Sequence, residues 1–164
     1  MHKLFDRLWD LEEFPSEWSI GLICPIFKGG TNEDKLDPMK YRGITLLSVV
    51  GKLFTCVLKN RLEKFCETNN LLAEEQAGFR GTRSTVDHIF TLHELIMSRR
   101  PNRTYCCFID IQKAYDRIWR EGLWSKLYDG GVRGKMLRMI KSMYKNVESC
   151  VLVNGVRSKS FRPD

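Results

Sequence analysis

An α+β fold is the prediction for this chain, and three observations carry it. Residues 19–27 and 42–46 are short strand-like runs joined by a polar loop containing Gly29 and Gly30, the pattern of an N-terminal hairpin. Two long segments, 48–67 and the stretch after Ser84, carry apolar residues at the i, i+3, i+4 spacing of half-buried helices. A further apolar run, 105–109, closes on Asp110 just as the pattern turns helical.

Taken in order, residues 2–13 place Leu4, Phe5, Leu8, Trp9 and Leu11 on one helical face, and Pro15 ends that helix. The hairpin follows. Ser48 is placed to cap the longest helix, whose stripe of Val50, Leu53, Phe54, Val57, Leu58, Leu62 and Phe65 reads as core. Ser84-Thr85-Val86-Asp87 resembles a capping box with Asp in the usual Glu place, and the helix behind it is expected to bury Val86, Ile89, Phe90, His93, Ile96 and Met97. Pro101 and Asn102 turn the chain into a buried strand ending at Asp110. Two helices, about 122–129 and 135–145, are separated by Gly130-Gly131. Asn154-Gly155 between strand-like residues signals a second hairpin. With no internal repeat, low-complexity tract or linker, the 164 residues are expected to form one structural unit.

The composition, 43% hydrophobic and 29% charged, is that of an ordinary globular chain. The net charge of +7 favours a polyanionic partner, nucleic acid first, because neutralised phosphates release counterions. The six cysteines show no Cys-x-x-Cys spacing and sit mostly among apolar residues, so they read as small hydrophobes of a reduced, intracellular protein. His2, His88 and His93 add no metal spacing. His88 reads as helix surface and His93 as partly buried. There is neither an apolar run long enough to span a membrane nor a signal-peptide pattern, so no membrane partner is expected, and the cytoplasm or nucleus is the expected compartment.

Asp110 is the leading candidate for chemistry. A carboxylate at the C-terminal end of a strand can hold a hard divalent cation, although Asp also commonly ends a strand and opens a turn. Five blocks, in order, turn that ambiguity into a resemblance. They are Phe14-Pro15-Ser16-Glu17-Trp18 leading into Leu22-Ile23-Cys24-Pro25-Ile26-Phe27-Lys28-Gly29-Gly30; Tyr41-Arg42-Gly43-Ile44-Thr45-Leu46-Leu47-Ser48; the helix holding Asn60-Arg61-Leu62; Gln76-Ala77-Gly78-Phe79-Arg80-Gly81-Thr82-Arg83-Ser84-Thr85-Val86-Asp87; and Phe108-Ile109-Asp110-Ile111-Gln112-Lys113-Ala114-Tyr115-Asp116. Together they resemble the front of a reverse transcriptase of LINE-like retrotransposons, those without long terminal repeats.

That resemblance implies a right-hand polymerase: fingers over about 14–100 and partial palm over about 101–164. It implies RNA-directed DNA synthesis with an RNA template, a DNA primer and deoxynucleoside triphosphates as partners. Two Mg²⁺ ions about 3.5–4 Å apart would activate the attacking and leaving oxygens. By resemblance, Asp110 bridges both ions and the Ile111 carbonyl is a backbone ligand. Tyr115 gates the incoming sugar by clashing with a ribose 2′-OH, its other reading being a core aromatic beside Ala114. Lys28 and Arg42 grip the triphosphate, while Arg80 and Arg83, on either side of Gly81, contact template or nucleotide. Lys28 and Arg42 could instead be solvated surface charge. Lys113 is local or reaches a phosphate, and Asp116 caps the next helix.

The chain departs from the family pattern in lacking any Asp-Asp pair. It is expected to be truncated before the second catalytic carboxylate motif, so that the remaining part of the polymerase domain becomes a required partner and the fragment alone is inactive. The alternative is a non-catalytic, basic nucleic-acid-binding remnant. A third possibility is a relic that never folds. Arg138, Lys141 and Lys145 share one face of the last helix, which is either a backbone-tracking patch or a solvated surface.

Overall fold

The computed structural model describes residues 1–112 and 114–163, with the side chains of Glu33 and Asp116 excepted. The roles expected of Lys113 and of the Asp116 side chain therefore lie outside the described residues. Among these residues the fold is mixed, with five α-helices and one four-stranded sheet. Packing divides the chain into two compact units, Met1–Leu58 with Trp119–Asp164, and Lys59–Ile118. This is a division by contacts.

The first unit holds the sheet, in the order β2-β1-β3-β4. Strands β1 (Ile20–Phe27) and β2 (Tyr41–Leu46) form the expected antiparallel hairpin, with Leu22 opposite Leu46 and Phe27 opposite Tyr41. Gly21 is required where it stands, because a Cβ there would lie 2.7 Å from the Thr45 methyl. Strand β3 (Glu148–Val153) joins β1 in parallel, pairing Leu22 with Cys150, and turns back into β4 (Val156–Arg157). Asn154 (φ 50°) and Gly155 (φ 80°) both take the left-handed conformation that a two-residue hairpin turn demands.

Helix α1 (His2–Leu11) supplies Leu8, α2 (Val49–Thr68) supplies Phe54 and Leu58, and α5 (Gly134–Lys145) supplies Met139 to one buried cluster. Phe5, Trp9, Phe14, Trp18, Met136 and Met143 pack around it. Phe54 is the hub, with the Phe5 ring edge-on at 5.2 Å and Phe14 and Trp18 each at 6.3 Å. The α2 stripe is core only in part. Phe54 and Leu58 are buried, whereas Leu53 and Val57 face solvent. Ser48 caps α2 as expected, its Oγ accepting from the Gly51 N–H at 3.3 Å. Helix α4 (Arg120–Asp129) buries Trp124, whose ring meets Tyr144 of α5 edge-on at 5.4 Å.

The second unit contains the end of α2 and helix α3 (Thr85–Ser98). The capping box is present in full, with Ser84 Oγ accepting from the Asp87 N–H at 3.3 Å and Asp87 accepting from the Ser84 N–H at 2.8 Å. Two expectations fail here. The apolar residues of α3 are not buried: Val86, Ile89, Phe90 and Met97 are exposed, His93 likewise, and Ile96 is only half-buried. No strand forms over 105–110 either, since that run is irregular and its Tyr105, Phe108 and Ile109 are all exposed. A strand needs a neighbour to take its backbone hydrogen bonds, and among the described residues this run has no strand beside it. Apolar composition predicted burial, but only a packing partner can provide it.

Candidate nucleotide and nucleic-acid interface

In the first unit the hairpin brings the predicted triphosphate residues together. Arg42 sits opposite Ile26, and the ladder runs one step further through the Lys28 N–H, which donates to the Lys40 carbonyl at 2.9 Å. Residues two apart on a strand, and residues directly opposite each other, share a face, so Lys28, Lys40 and Arg42 lie on the same side. Lys28 Nζ donates to the Met39 carbonyl at 3.1 Å, and Lys40 faces the Asp34 carboxylate at 3.4 Å. Asp34 is held below the usual carboxylate range chiefly by the Thr31 backbone N–H, with Thr31 Oγ and Lys40 adding to the effect. Sequence reasoning passed over Lys40. The register that pairs it with Lys28 was the signal available.

In the second unit, Asp110 and Ile111 are exposed on the irregular segment, and Tyr115 lies on a single 3₁₀ turn, Ala114–Arg117, with its ring 74% exposed. The core-aromatic reading of Tyr115 therefore fails. Its ring meets Phe79 edge-on, with centroids 6.4 Å apart and planes at 84°.

Arg80 is firmly anchored. Its side chain is only 8% exposed. Nε and Nη2 donate to the two Glu67 carboxylate oxygens at 2.8 and 2.7 Å, and Nη1 donates to the carbonyls of Ala73 (2.9 Å) and Gln76 (3.4 Å). This fork holds Glu67 below its ordinary range and pushes Arg80 further up. Arg83 pairs with Glu74 and keeps about a third of its side chain open. The two acids lie 13 and 9 residues before their arginines, separations that no local sequence rule connects.

The basic face of α5 is partly neutralised. Arg138 forks onto Glu12, with Nη2 at 2.7 Å, and holds that acid below its ordinary range, while Lys135 Nζ meets Asp10 at 2.9 Å. Lys141 lies 5.9 Å from the Trp124 ring centre. Among the described residues, no group of three His, Cys, Asp or Glu could hold a metal ion. One exposed carboxylate and a backbone carbonyl do not by themselves make a two-ion centre, which needs several carboxylates.

The model of the reverse transcriptase (RNA-dependent DNA polymerase) family matches residues 28–162. The chain belongs to that family. Its similarity is to the LINE-type members. It is 35% identical over 126 residues to the probable RNA-directed DNA polymerase from transposon BS of Drosophila melanogaster, covering 76% of this chain and 14% of that protein. The RNA-directed DNA polymerase from mobile element jockey of the same fly is 30% identical over 164 residues, covering 98% of this chain and 17% of that protein. A putative 115 kDa protein in type-1 retrotransposable element R1DM is 30% identical over 130 residues, with 79% and 12% covered. The chain thus spans a small part, 12% to 17%, of the length of these curated relatives. Among the described residues of this reverse transcriptase segment, no helix is long and apolar enough to cross a membrane.

Proposed function

We propose that these 164 residues form the fingers, over about 14–100, and the front of the palm, over about 101–164, of a non-LTR retrotransposon reverse transcriptase. The observation that carries the reading is the β1–β2 hairpin, which presents Lys28 and Arg42 on one face within the span matched by the family model. An arginine fork and a lysine point charge on one wall suit the β- and γ-phosphates of a deoxynucleoside triphosphate. Lys40 stands beside them, already paired with the Asp34 carboxylate.

In this reading Asp110 supplies one carboxylate, and the Ile111 carbonyl one oxygen, to an Mg²⁺ centre whose other carboxylates come from the remaining part of the polymerase domain. Tyr115 excludes ribonucleotides by sterics, and its exposed ring is free to meet a sugar. Arg83 contacts the template phosphates. Arg80 serves by fixing the loop that runs from Glu67 to it, since the Glu67 carboxylate and two backbone carbonyls already engage all three of its guanidinium nitrogens. RNA template and DNA primer are the partners this assigns.

Titrating the chain with a deoxynucleoside triphosphate tests the reading. Lys28→Ala and Arg42→Ala should each weaken binding about tenfold, the worth of one charge-assisted hydrogen bond. Affinity unchanged in both variants would remove the hairpin from the site. The second reading, a basic nucleic-acid-binding remnant without catalysis, draws on the chain's net charge of +7. It predicts salt-dependent RNA binding with no Mg²⁺-dependent primer extension.

A further inference from the structure

We propose that Phe79 is a nucleobase-contacting residue, the second ring of an open aromatic corner shared with Tyr115. The inference rests on Tyr115 facing an incoming nucleotide, and it adds a residue to which nothing above gives a role.

Three observations carry it. First, Phe79 is 84% exposed and Tyr115 74% exposed, yet they stand edge-to-face at 6.4 Å, which leaves a ring face open to solvent beside a perpendicular neighbour. A flat base can stack on such a face, and every base has a π-face to offer. Second, Phe79 adopts φ 63°, a left-handed conformation rare for a bulky side chain, while Gly78 next to it, which could take it without cost, does not. Non-glycine residues stay in that region only where their surroundings over-determine it, and such positions cluster at ligand sites.

Third, the surroundings do over-determine it. Arg80, one residue on, is locked to Glu67, Ala73 and Gln76, and its N–H donates to the Ala77 carbonyl at 3.3 Å. Gln76 Nε2 donates to the Gly78 carbonyl at 3.3 Å. The loop is thus tied down on both sides of Phe79, while the aromatic ring itself stays open to solvent. Glu67 and Arg80 are positioning residues in this account, and Phe79 touches the base.

The base could belong to the incoming triphosphate or to the single-stranded template, and one experiment separates the two. The chain is titrated with a deoxynucleoside triphosphate bearing a fluorescent aminopurine base, and separately with a short single-stranded RNA carrying the same base. Stacking quenches the fluorescence. Phe79→Leu should weaken the quenched complex about tenfold, the worth of one stacked base, while Phe79→Trp restores it. An effect on the triphosphate alone assigns the incoming base, and an effect on the RNA alone assigns the template base. Phe79 is exposed, so both variants should melt with the native chain, and Phe79→Trp carries the test if Phe79→Leu does not.

Quenching by Phe79→Leu equal to that of the native chain, or no quenching by the native chain, overturns the inference. If Lys28→Ala still weakens triphosphate binding in that case, the nucleotide site stands and only Phe79 leaves it. If neither substitution matters, the proposed function falls as well.

Discussion

Glu67 and Arg80 show how much one side-chain pair can decide in a unit with so little buried surface. Glu67 sits at the end of α2 and Arg80 in the loop beyond it, so their fork closes a stretch that has no sheet and, among the described residues, no fully buried side chain. Because the Arg80 hydrogen bonds lower the Glu67 pKa in the folded chain, the pair stabilises the fold above the ordinary glutamate value. That stability is lost as pH falls from there through the depressed folded value. Glu67→Gln should therefore lower the Tm at neutral pH, and the gap between variant and native should shrink as the solution is acidified through that window. A gap that is constant with pH would show that the carboxylate charge contributes nothing. The pairing was not legible in the sequence, where Arg80 read as a template or nucleotide contact. Arginine in a glycine-containing loop suits either purpose, and only the position of Glu67 decides between them.

At the scale of elements, what was legible was local. The capping box of α3, the Ser48 cap of α2 and the Asn154-Gly155 turn each depend on residues within a few positions of one another, and each forms, as does the β1–β2 hairpin between consecutive strands. Ser84→Ala removes the side-chain acceptor of the Asp87 N–H and should cost about 1 kcal/mol, read as a lower melting midpoint with local loss at α3 in amide exchange. An unchanged midpoint would mean that α3 does not depend on its cap. What was not legible depends on partners. Among the described residues, Tyr105, Phe108 and Ile109 have the composition of a buried strand but no strand to pair with, and the α3 face of Val86, Ile89 and Phe90 has no surface covering it. Periodicity reports which face is apolar, not whether something packs on it.

For the molecule as a whole, the two units differ in how they are held. The first has a sheet, an aromatic hub at Phe54 and the ion pairs of α1 with α5, and the second relies on caps and arginine forks. The net charge of +7 looked in sequence like a broad attraction for polyanions, yet the structure assigns some of its cations to internal partners. Arg138, Lys135, Arg80 and Lys40 are engaged by acids, and Arg83 is too, though about a third of its side chain stays open, while among the described residues Lys28, Arg42 and Lys141 meet no acid. Fewer phosphate contacts follow than the composition suggests. Family membership rests on the match over residues 28–162, and the handling of template and primer is the claim most exposed to test.

The most direct test is binding of an RNA–DNA hybrid by the 164-residue chain across a salt series, for the native protein and Arg83→Ala. The account predicts that log K falls linearly with log salt, and that Arg83→Ala lowers affinity across sequences and reduces the slope by about one. Binding indifferent to salt, or a slope that Arg83→Ala leaves untouched, would contradict it.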